Sequence, residues 1–320
     1  MCDHIAIGEH CRYYLGCTDY WKHYGDEQDN SLIAVDLHEG GSLLGHVPGV
    51  DVPLYNTSGQ YSTRLYADVA SKWIGEHDRR QPMFLYLAFQ GAHSANNKFV
   101  QAPAELISRF DDRISPKAET CGQWELPLSS AACTKRAMRK TTAAEVVAID
   151  DAVGAVVDAL KAAGIYENSL IVFSSDNGGP TDGTDNNMMN NFPLRSGKGQ
   201  TWEGGIRAVG FIHGAGLKET GVRSRALHHV SDWYLTFLAA ANGGKPAAPI
   251  LKPREVAWKP ADGIDNWVLL VCNAAQSRLN ACRTAHIACC PRLFVAPDAR
   301  YLRHVKLCCM FACVAHVARR

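Results

Sequence analysis

The fold is decided by the stretch Leu170-Ile171-Val172-Phe173-Ser174-Ser175-Asp176-Asn177-Gly178-Gly179. Its first four residues form a short apolar run, which predicts a buried strand. An acid and an amide follow, and two glycines then allow the backbone to turn. This order places a carboxylate and an amide oxygen side by side at the carboxyl end of a strand, where open α/β sheets usually bind ligands.

A second charged group follows in Pro193-Leu194-Arg195, Lys198 and Trp202-Glu203-Gly204-Gly205-Ile206-Arg207. It contributes one lysine and two arginines, side chains that are suited to bind an anionic group. Hard oxygen ligands beside such cations indicate a metal ion that holds a phosphate-like or sulfate-like substrate.

Taken in this order, the two groups closely resemble the sulfatase family, and within it the arylsulfatase B-like branch. The resemblance runs from about Tyr14 to about Trp267. It implies an α/β fold of the alkaline phosphatase type, in which a mostly parallel central sheet is flanked by helices. It also implies a sulfuric ester hydrolase that uses a calcium ion and a formylglycine nucleophile.

The same resemblance gives roles to four residues. It assigns Asp176 and Asn177 to the calcium ion, and Lys198 and His93 to the sulfate group and its leaving oxygen. Two other interpretations stay open, since Asp-Asn-Gly-Gly by itself is typical of a turn capped by its own side chain. The family usually has a proline shortly after the histidine, whereas this chain continues as Ser94-Ala95, so an incidental loop histidine is the alternative for His93.

The nucleophile of the family is a cysteine within Cys-x-Pro-x-Arg, and this segment does not occur in the sequence. Neither the two amino-terminal aspartates of the family nor its Gly-Lys-x-His segment is found in residues 1–60. Cys289-Cys290-Pro291-Arg292 lacks the spacer before the arginine and follows the metal pair, so we reject it as a substitute. We therefore expect an amino-terminally truncated catalytic domain that is inactive by itself.

Two alternatives follow from the missing nucleophile. One is a catalytically inactive sulfatase-like fragment that at most binds an anion or a metal ion. The other is a phosphate-processing relative of the same fold, which the Lys and Trp-Glu-Gly-Gly pattern disfavours because that pattern resembles sulfatases.

Composition excludes several partners. Hydrophobic residues make up 47% of the chain and charged residues 20%, with a net charge of +1, which is ordinary for a globular protein. This balance gives no electrostatic reason to expect nucleic acid, and no apolar run reaches the roughly 20 residues of a membrane span. The expected partner is a small-molecule or glycan sulfate ester. The opening residues predict a cytoplasmic location as written, whereas the family resemblance implies a lysosomal or secreted one.

The resemblance, which ends near Trp267, implies a partial catalytic domain over residues 1–267, and a Cys-rich tail over residues 268–320 follows it. We expect residues 116–140 to be an insertion and most of the tail to lie outside the fold. The spacing predicts helices over 64–76, 142–163 and 230–241, and strands over 83–89, 169–173 and 206–212. Cys309, Cys313 and His316 lie at spacings that a helix could gather toward zinc, which is a minority alternative.

The remaining polar residues of note have structural interpretations. Arg195 and Arg207 are expected to hold the glycine-rich loop by pairing with carboxylates such as Glu203. His228-His229 is predicted at a strand-to-helix junction. Asp150-Asp151 is predicted to form a solvated helix edge, because adjacent residues point about 100° apart on a helix.

Overall fold

The computed structural model describes residues 9–13, 18–26, 33–41, 51–95, 100–114, 135–181, 187–217, 220–224, 226–245, 262–272, 292–295 and 310–316. The helices are α1 (Ser62–Glu76), α2 (Ala104–Ile107), α3 (Lys135–Ala162), α4 (Glu203–Ile206), α5 (Asp232–Ala241) and α6 (Trp267–Cys272). The strands are β1 (Glu9–Tyr13), β2 (Tyr24–Asp26), β3 (Ile33–Val35), β4 (Leu37–Gly41), β5 (Asp51–Pro53), β6 (Met83–Phe89), β7 (Ser169–Ser175), β8 (Val209–Gly214), β9 (Arg292–Val295) and β10 (Met310–His316).

A five-stranded sheet in the order β6-β10-β7-β8-β9 forms the centre of the described structure. Every residue of β7 is buried, so this strand is covered on both faces. Ile171 and Phe173 belong to the core that includes side chains of α1 and α3. Leu170 and Val172 belong to a second core with Trp233 of α5 and a residue of α6. The predicted layer order, helices on both faces of a sheet, is therefore observed.

The sheet differs from the mostly parallel sheet that we expected. Three of its four described pairings are antiparallel, and only β8 and β9 run parallel to each other. Two of the antiparallel pairings arise because β10 lies between β6 and β7 and runs against both, and in the third β8 runs against β7. As a result β6 and β7 still point in the same direction, and their carboxyl ends reach the same edge of the sheet.

The tail also differs from expectation where the structure describes it. Residues 292–295 and 310–316 form two strands of the central sheet, although we expected most of residues 268–320 to lie outside the fold. The segment 310–316 is a strand rather than a helix, so the helical spacing behind the zinc alternative does not apply to it, and Cys309 lies outside the described residues. The division into domains stays a prediction.

Element bounds agree with the sequence where periodicity is strong. The strand β6 has the predicted bounds, and α1 begins two residues before the predicted start at 64. The helix α3 begins at Lys135 rather than 142, inside the expected insertion, most of which lies outside the described residues. It ends where Gly164 takes a φ of +69°, and Ile165 N–H then donates to the Leu160 carbonyl at 3.1 Å. This glycine cap turns the chain directly into a short 3₁₀ helix, Tyr166–Asn168, that precedes β7.

Two smaller sheets, β1-β4-β5 and β2-β3, are formed by the amino-terminal part of the chain. Among the described residues, no helix combines the length and the apolar character that crossing a membrane requires.

Candidate functional site

The acid and amide predicted as ligands lie on a tight turn directly after β7. The Asn177 backbone N–H donates to Asp176 Oδ1 at 2.7 Å, and Asn177 Nδ2 donates to the Gly178 carbonyl at 2.8 Å. Ser175 Oγ donates to the Asn177 carbonyl at 2.8 Å. The capped turn that we left open as an alternative is therefore present. Capping engages Oδ1 of Asp176 and the amide nitrogen of Asn177, and it is compatible with a metal on their other oxygens.

His93 and Lys198 meet at the same edge of the sheet, although 105 positions separate them in the chain. His93 follows β6, and Lys198 lies on the loop between the β7 turn and α4. Lys198 Nζ lies 3.1 Å from His93 Nε2, while His93 Nδ1 lies 3.0 Å from the Ser94 carbonyl oxygen. Since a carbonyl oxygen only accepts, Nδ1 carries the proton and Nε2 accepts from the lysine.

The 3.1 Å contact between Lys198 and His93 is favourable as a hydrogen bond when the pair holds one positive charge rather than two. Two unit charges at 3.1 Å would repel by about 5 kcal/mol at an effective dielectric constant of about 20. The hydrogen bond between the two nitrogens requires a lone pair on one of them, which a doubly charged pair lacks. In that state the site presents an ammonium group that is oriented by a neutral imidazole.

Asp176 belongs to the same electrostatic unit. Desolvation raises the pKa of its carboxyl, while the Asn177 N–H and the positive charge of Lys198 act in the opposite direction. The residue keeps solvent exposure. A carboxylate that is partly desolvated and only partly compensated is suited to a cation.

The donor set fits part of a calcium site. Asp176 and Asn177 offer one carboxylate and one amide oxygen, which are hard ligands, whereas calcium takes six to eight oxygens. Over the described ranges, no group of three or more His, Cys, Asp or Glu residues could hold a metal ion. The two residues fit calcium as a partial set.

Glycines allow the turn after β7 to pack closely against α4, and α4 to pack closely against the loop that carries Lys198. The Gly178 N–H donates to the Gly205 carbonyl at 2.8 Å, and the Gly204 N–H donates to the Arg195 carbonyl at 2.8 Å. A Cβ added to Gly178 would lie 1.8 Å from the Gly204 carbonyl oxygen, and one added to Gly204 would lie 2.1 Å from the Ser196 carbonyl oxygen. The Trp-Glu-Gly-Gly motif is therefore required for close contact between backbones.

Asn191 joins the same two segments through its side chain, which is 3% exposed. Its Oδ1 accepts from the Gly179 N–H at 3.1 Å, and its Nδ2 donates to the Gly179 carbonyl at 2.6 Å and to the Ser196 carbonyl at 3.0 Å. This residue fixes the turn after β7 relative to the loop that carries Lys198. Sequence reasoning missed it, since a loop asparagine carries no signal of its own.

The two arginines of the motif have different contacts. Arg207 pairs with Glu203 at 2.8 Å, as predicted. Arg195 instead stacks its guanidinium on the Trp202 ring, 3.7 Å from the ring centroid, so the expected carboxylate partner is replaced by an aromatic face. The Arg195 contact lies in the loop that carries Lys198, and the Arg207 contact spans α4, which supports their interpretation as structural.

His228 and His229 lie just before α5, as predicted, and they are engaged there. His228 is 2% exposed and contacts Asn266 through Nδ1 at 2.9 Å, whereas His229 Nδ1 contacts Ser231 Oγ at 2.8 Å. Burial lowers the pKa of His228 from 6.5 to about 4.

On α3, Asp151 is exposed and Asp150 is half-buried, so the predicted solvated edge holds for Asp151.

Comparison with known proteins identifies the family. A sequence profile of the sulfatase family matches residues 11–243, which is most of the chain. The chain belongs to the sulfatase family. This confirms the resemblance that the Asp-Asn-Gly-Gly and Trp-Glu-Gly-Gly motifs indicated.

Individual sulfatases are similar over most of this chain but extend well beyond it. Arylsulfatase J of Mus musculus is 34% identical over 230 residues, covering 72% of this chain and 32% of the relative. N-acetylgalactosamine-6-sulfatase of Mus musculus is 26% identical over 229 residues, covering 70% of this chain and 37% of the relative. The chain thus spans about a third of the length of these relatives.

Two solved structures share the fold of this chain. The crystal structure of Ps i-CgsB has a TM-score of 0.57 and 26% identity, covering 83% of this chain and 50% of the other. Ps i-CgsB in complex with k-i-k-neocarrahexaose has a TM-score of 0.50 and 30% identity, covering 70% of this chain and 41% of the other. The alkaline phosphatase-like architecture expected from the sequence agrees with this likeness.

Proposed function

We propose that this chain forms the metal- and sulfate-binding part of a sulfatase that hydrolyses sulfate esters. The observation that carries the proposal is the 3.1 Å contact between Lys198 Nζ and His93 Nε2, at the sheet edge where Asp176 and Asn177 form the turn after β7. Oxygen ligands and an oriented cation at one edge match the chemistry of a sulfate group.

In this proposal Asp176 and Asn177 hold calcium through the carboxylate and the amide oxygen. When bound, the ion supplies Lewis-acid polarisation of a sulfate oxygen. The turn is suited to this role because its internal hydrogen bonds fix both side chains before any ligand arrives. Preorganisation of this kind avoids the cost of ordering the ligands during binding.

Lys198 and His93 act on the sulfate ester. The Lys198 ammonium donates to a sulfate oxygen and stabilises the negative charge that develops on the leaving oxygen as the ester bond breaks. His93 Nε2 accepts from the same ammonium and so fixes its direction. Lys198 Nζ and His93 Nε2 share a hydrogen-bonded proton, so the pair also serves as the acid that protonates the leaving oxygen.

The nucleophile of the proposed reaction is the family's formylglycine, and the Cys-x-Pro-x-Arg segment that would carry it does not occur in the 320 residues. We therefore propose that these residues alone bind sulfate and calcium without hydrolysing an ester. The alternative of an inactive sulfatase-like protein rests on the same observation. The sulfatase and the inactive protein are distinguished by assaying a protein that also carries the nucleophile. Only the sulfatase interpretation predicts that such a protein hydrolyses a sulfate ester.

A sulfated glycan is the substrate class that the comparisons favour. One structural neighbour is described in complex with k-i-k-neocarrahexaose, and one relative is named for N-acetylgalactosamine-6-sulfate. We propose a sulfated sugar on these grounds, and a lysosomal or secreted location by resemblance to the family, in place of the cytoplasmic expectation.

The test is sulfate binding by the purified chain, measured by NMR titration with sodium sulfate in the presence of calcium chloride. Lys198→Met should weaken binding by at least about tenfold, because a charge-assisted hydrogen bond is lost. Lys72→Met is the matched control, since it removes the same charge from an exposed position on α1, and it should stay within about twofold of the wild type. Equal binding by both variants would refute the proposed site.

A further inference from the structure

We propose that Tyr20 is a positioning residue that holds His93 in the orientation required to accept from Lys198. This inference rests on the proposed role of His93 at the sulfate site. Tyr20 lies 73 positions before His93 and belongs to no motif identified in the sequence. It is 0% exposed, so it acts on the site from within the core.

The Tyr20 hydroxyl bonds both backbone polar groups of His93. It donates to the His93 carbonyl oxygen at 2.8 Å and accepts from the His93 N–H at 3.2 Å. A single oxygen thus fixes the peptide groups on both sides of the histidine Cα. Because the side chain leaves the backbone at that atom, fixing both groups sets the direction in which the imidazole can point.

The orientation of the ring is passed on to Lys198. With the backbone held, His93 Nδ1 lies 3.0 Å from the Ser94 carbonyl oxygen, which keeps the proton on that nitrogen. The lone pair then remains on Nε2, 3.1 Å from Lys198 Nζ. If the backbone at residue 93 rotated, the contact of His93 Nδ1 with the Ser94 carbonyl would break. The ring proton could then occupy either ring nitrogen.

Tyr20 can serve as a fixed point because its own surroundings are rigid. Its ring stacks on Tyr61 with the centroids 5.4 Å apart, and its N–H donates to Gln101 Oε1 at 2.9 Å. Gln101 Nε2 donates in turn to Asp19 Oδ2 at 3.0 Å. Asp19 Oδ1 accepts from the N–H groups of Trp21 and Lys22 at 2.9 and 2.8 Å, which closes the turn that carries Tyr20.

Glu145 is a second polar group beside the Tyr20 hydroxyl. This residue on α3 is fully buried, and desolvation raises its pKa well above the ordinary value, against hydrogen bonds from the Gln101 N–H and Tyr20. In the structure the Tyr20 hydroxyl donates to the His93 carbonyl at 2.8 Å. A protonated acid is a weaker acceptor than a carboxylate, so a raised Glu145 pKa favours the His93 carbonyl as the partner of this hydroxyl.

The experiment compares Tyr20→Phe with Tyr61→Phe. Tyr61 is equally buried and stacks on Tyr20, but its hydroxyl donates to the Gln101 carbonyl at 2.9 Å and not to His93. Each variant loses one buried hydroxyl, so both should lose comparable stability, and only Tyr20→Phe should change His93. The readout is the pair of ¹⁵N ring signals of His93 in the ligand-free chain, at a pH above the ordinary imidazole value of about 6.5. These signals are assigned by their loss in His93→Gln.

We expect Tyr20→Phe to shift the two ring signals from a single tautomer toward a mixture and to weaken sulfate binding about threefold to tenfold, the effect of one lost hydrogen bond. Tyr61→Phe should leave the ring signals unchanged. The proposal is overturned if Tyr20→Phe keeps wild-type ring signals, or if both variants change them equally.

Two further measurements complete the design. In the wild type, the Tyr20 hydroxyl proton should be protected from exchange and show a nuclear Overhauser effect to the His93 amide, and its absence would overturn the proposal even if Tyr20→Phe does not fold. Sulfate binding by the wild type is judged separately. If sulfate does not bind while the ring signals respond to Tyr20→Phe, the proposed function fails and the positioning role stands.

Discussion

Replacing Gly178 by alanine should damage the site more than its small size suggests. The added Cβ would lie 1.8 Å from the Gly204 carbonyl oxygen and 3.3 Å from the Gly205 Cα. Both contacts are with backbone, so no side chain can move aside. The turn after β7 and α4, which packs against the Lys198 loop, must separate by more than an ångström to accept the methyl group.

The expected cost combines two contributions. Overpacking of a close contact costs about 1–3 kcal/mol. Separation of the segments also lengthens the 2.8 Å hydrogen bond from the Gly178 N–H to the Gly205 carbonyl, which is worth about 1 kcal/mol. The free energy of unfolding should therefore fall by about 2–4 kcal/mol, and sulfate binding should weaken because Lys198 moves with the loop.

Gly154→Ala is the matched control. Gly154 lies within α3, and an added Cβ there meets no atom within 4 Å. Alanine in a helix interior is favoured over glycine by about 0.5–1 kcal/mol, so this variant should be more stable than the wild type. Urea unfolding followed by circular dichroism measures both. An unfolding free energy for Gly178→Ala within about 0.5 kcal/mol of the wild type would refute the close packing described here.

Two further predictions concern buried polar groups. Asn191→Asp should destabilise the chain by about 1–3 kcal/mol and weaken sulfate binding, because a carboxylate cannot donate to the carbonyls of Gly179 and Ser196. Asn190→Asp should be nearly neutral, because Asn190 Oδ1 accepts from the Phe192 N–H at 2.8 Å and a carboxylate oxygen can do the same. Equal losses of unfolding free energy in urea would contradict this account. For His228, the folded-state pKa of about 4 lies below the ordinary 6.5, so the unfolded state takes up the proton first as the pH falls. The unfolding free energy should then drop between pH 6.5 and 4, by up to about 3 kcal/mol. His228→Gln should flatten this dependence in the same assay, and an unchanged profile would argue against a buried neutral histidine.

The candidate site residues could be predicted from the sequence because their signals are local. A short apolar run, an acid–amide pair and two glycines lie next to one another, and they indicate a strand followed by a turn. The charged motif that follows them is what favours a ligand at that turn. The β6 strand was predicted with its observed bounds for the same reason. Periodicity reports which faces of a segment are buried, and turn residues report where the segment ends.

The sequence did not predict which segments meet. The antiparallel position of β10 between β6 and β7 depends on backbone hydrogen bonds, which every residue except proline can form and which therefore leave little trace in residue type. Tyr20, Gln101 and Glu145 are ordinary residues in three separate segments, and only their packing around the His93 backbone gives them a role.

By itself, the sequence determined the family. It also predicted the metal and sulfate residues and the strands that precede them. The tertiary structure decided that Lys198 contacts His93, that Arg195 stacks on Trp202, and that the Tyr20 hydroxyl bonds the His93 backbone from within the core. The physical reason is that each residue type fixes its own side-chain chemistry. The orientation of a side chain depends instead on contacts between positions as far as 105 residues apart, and these contacts form only when the chain folds.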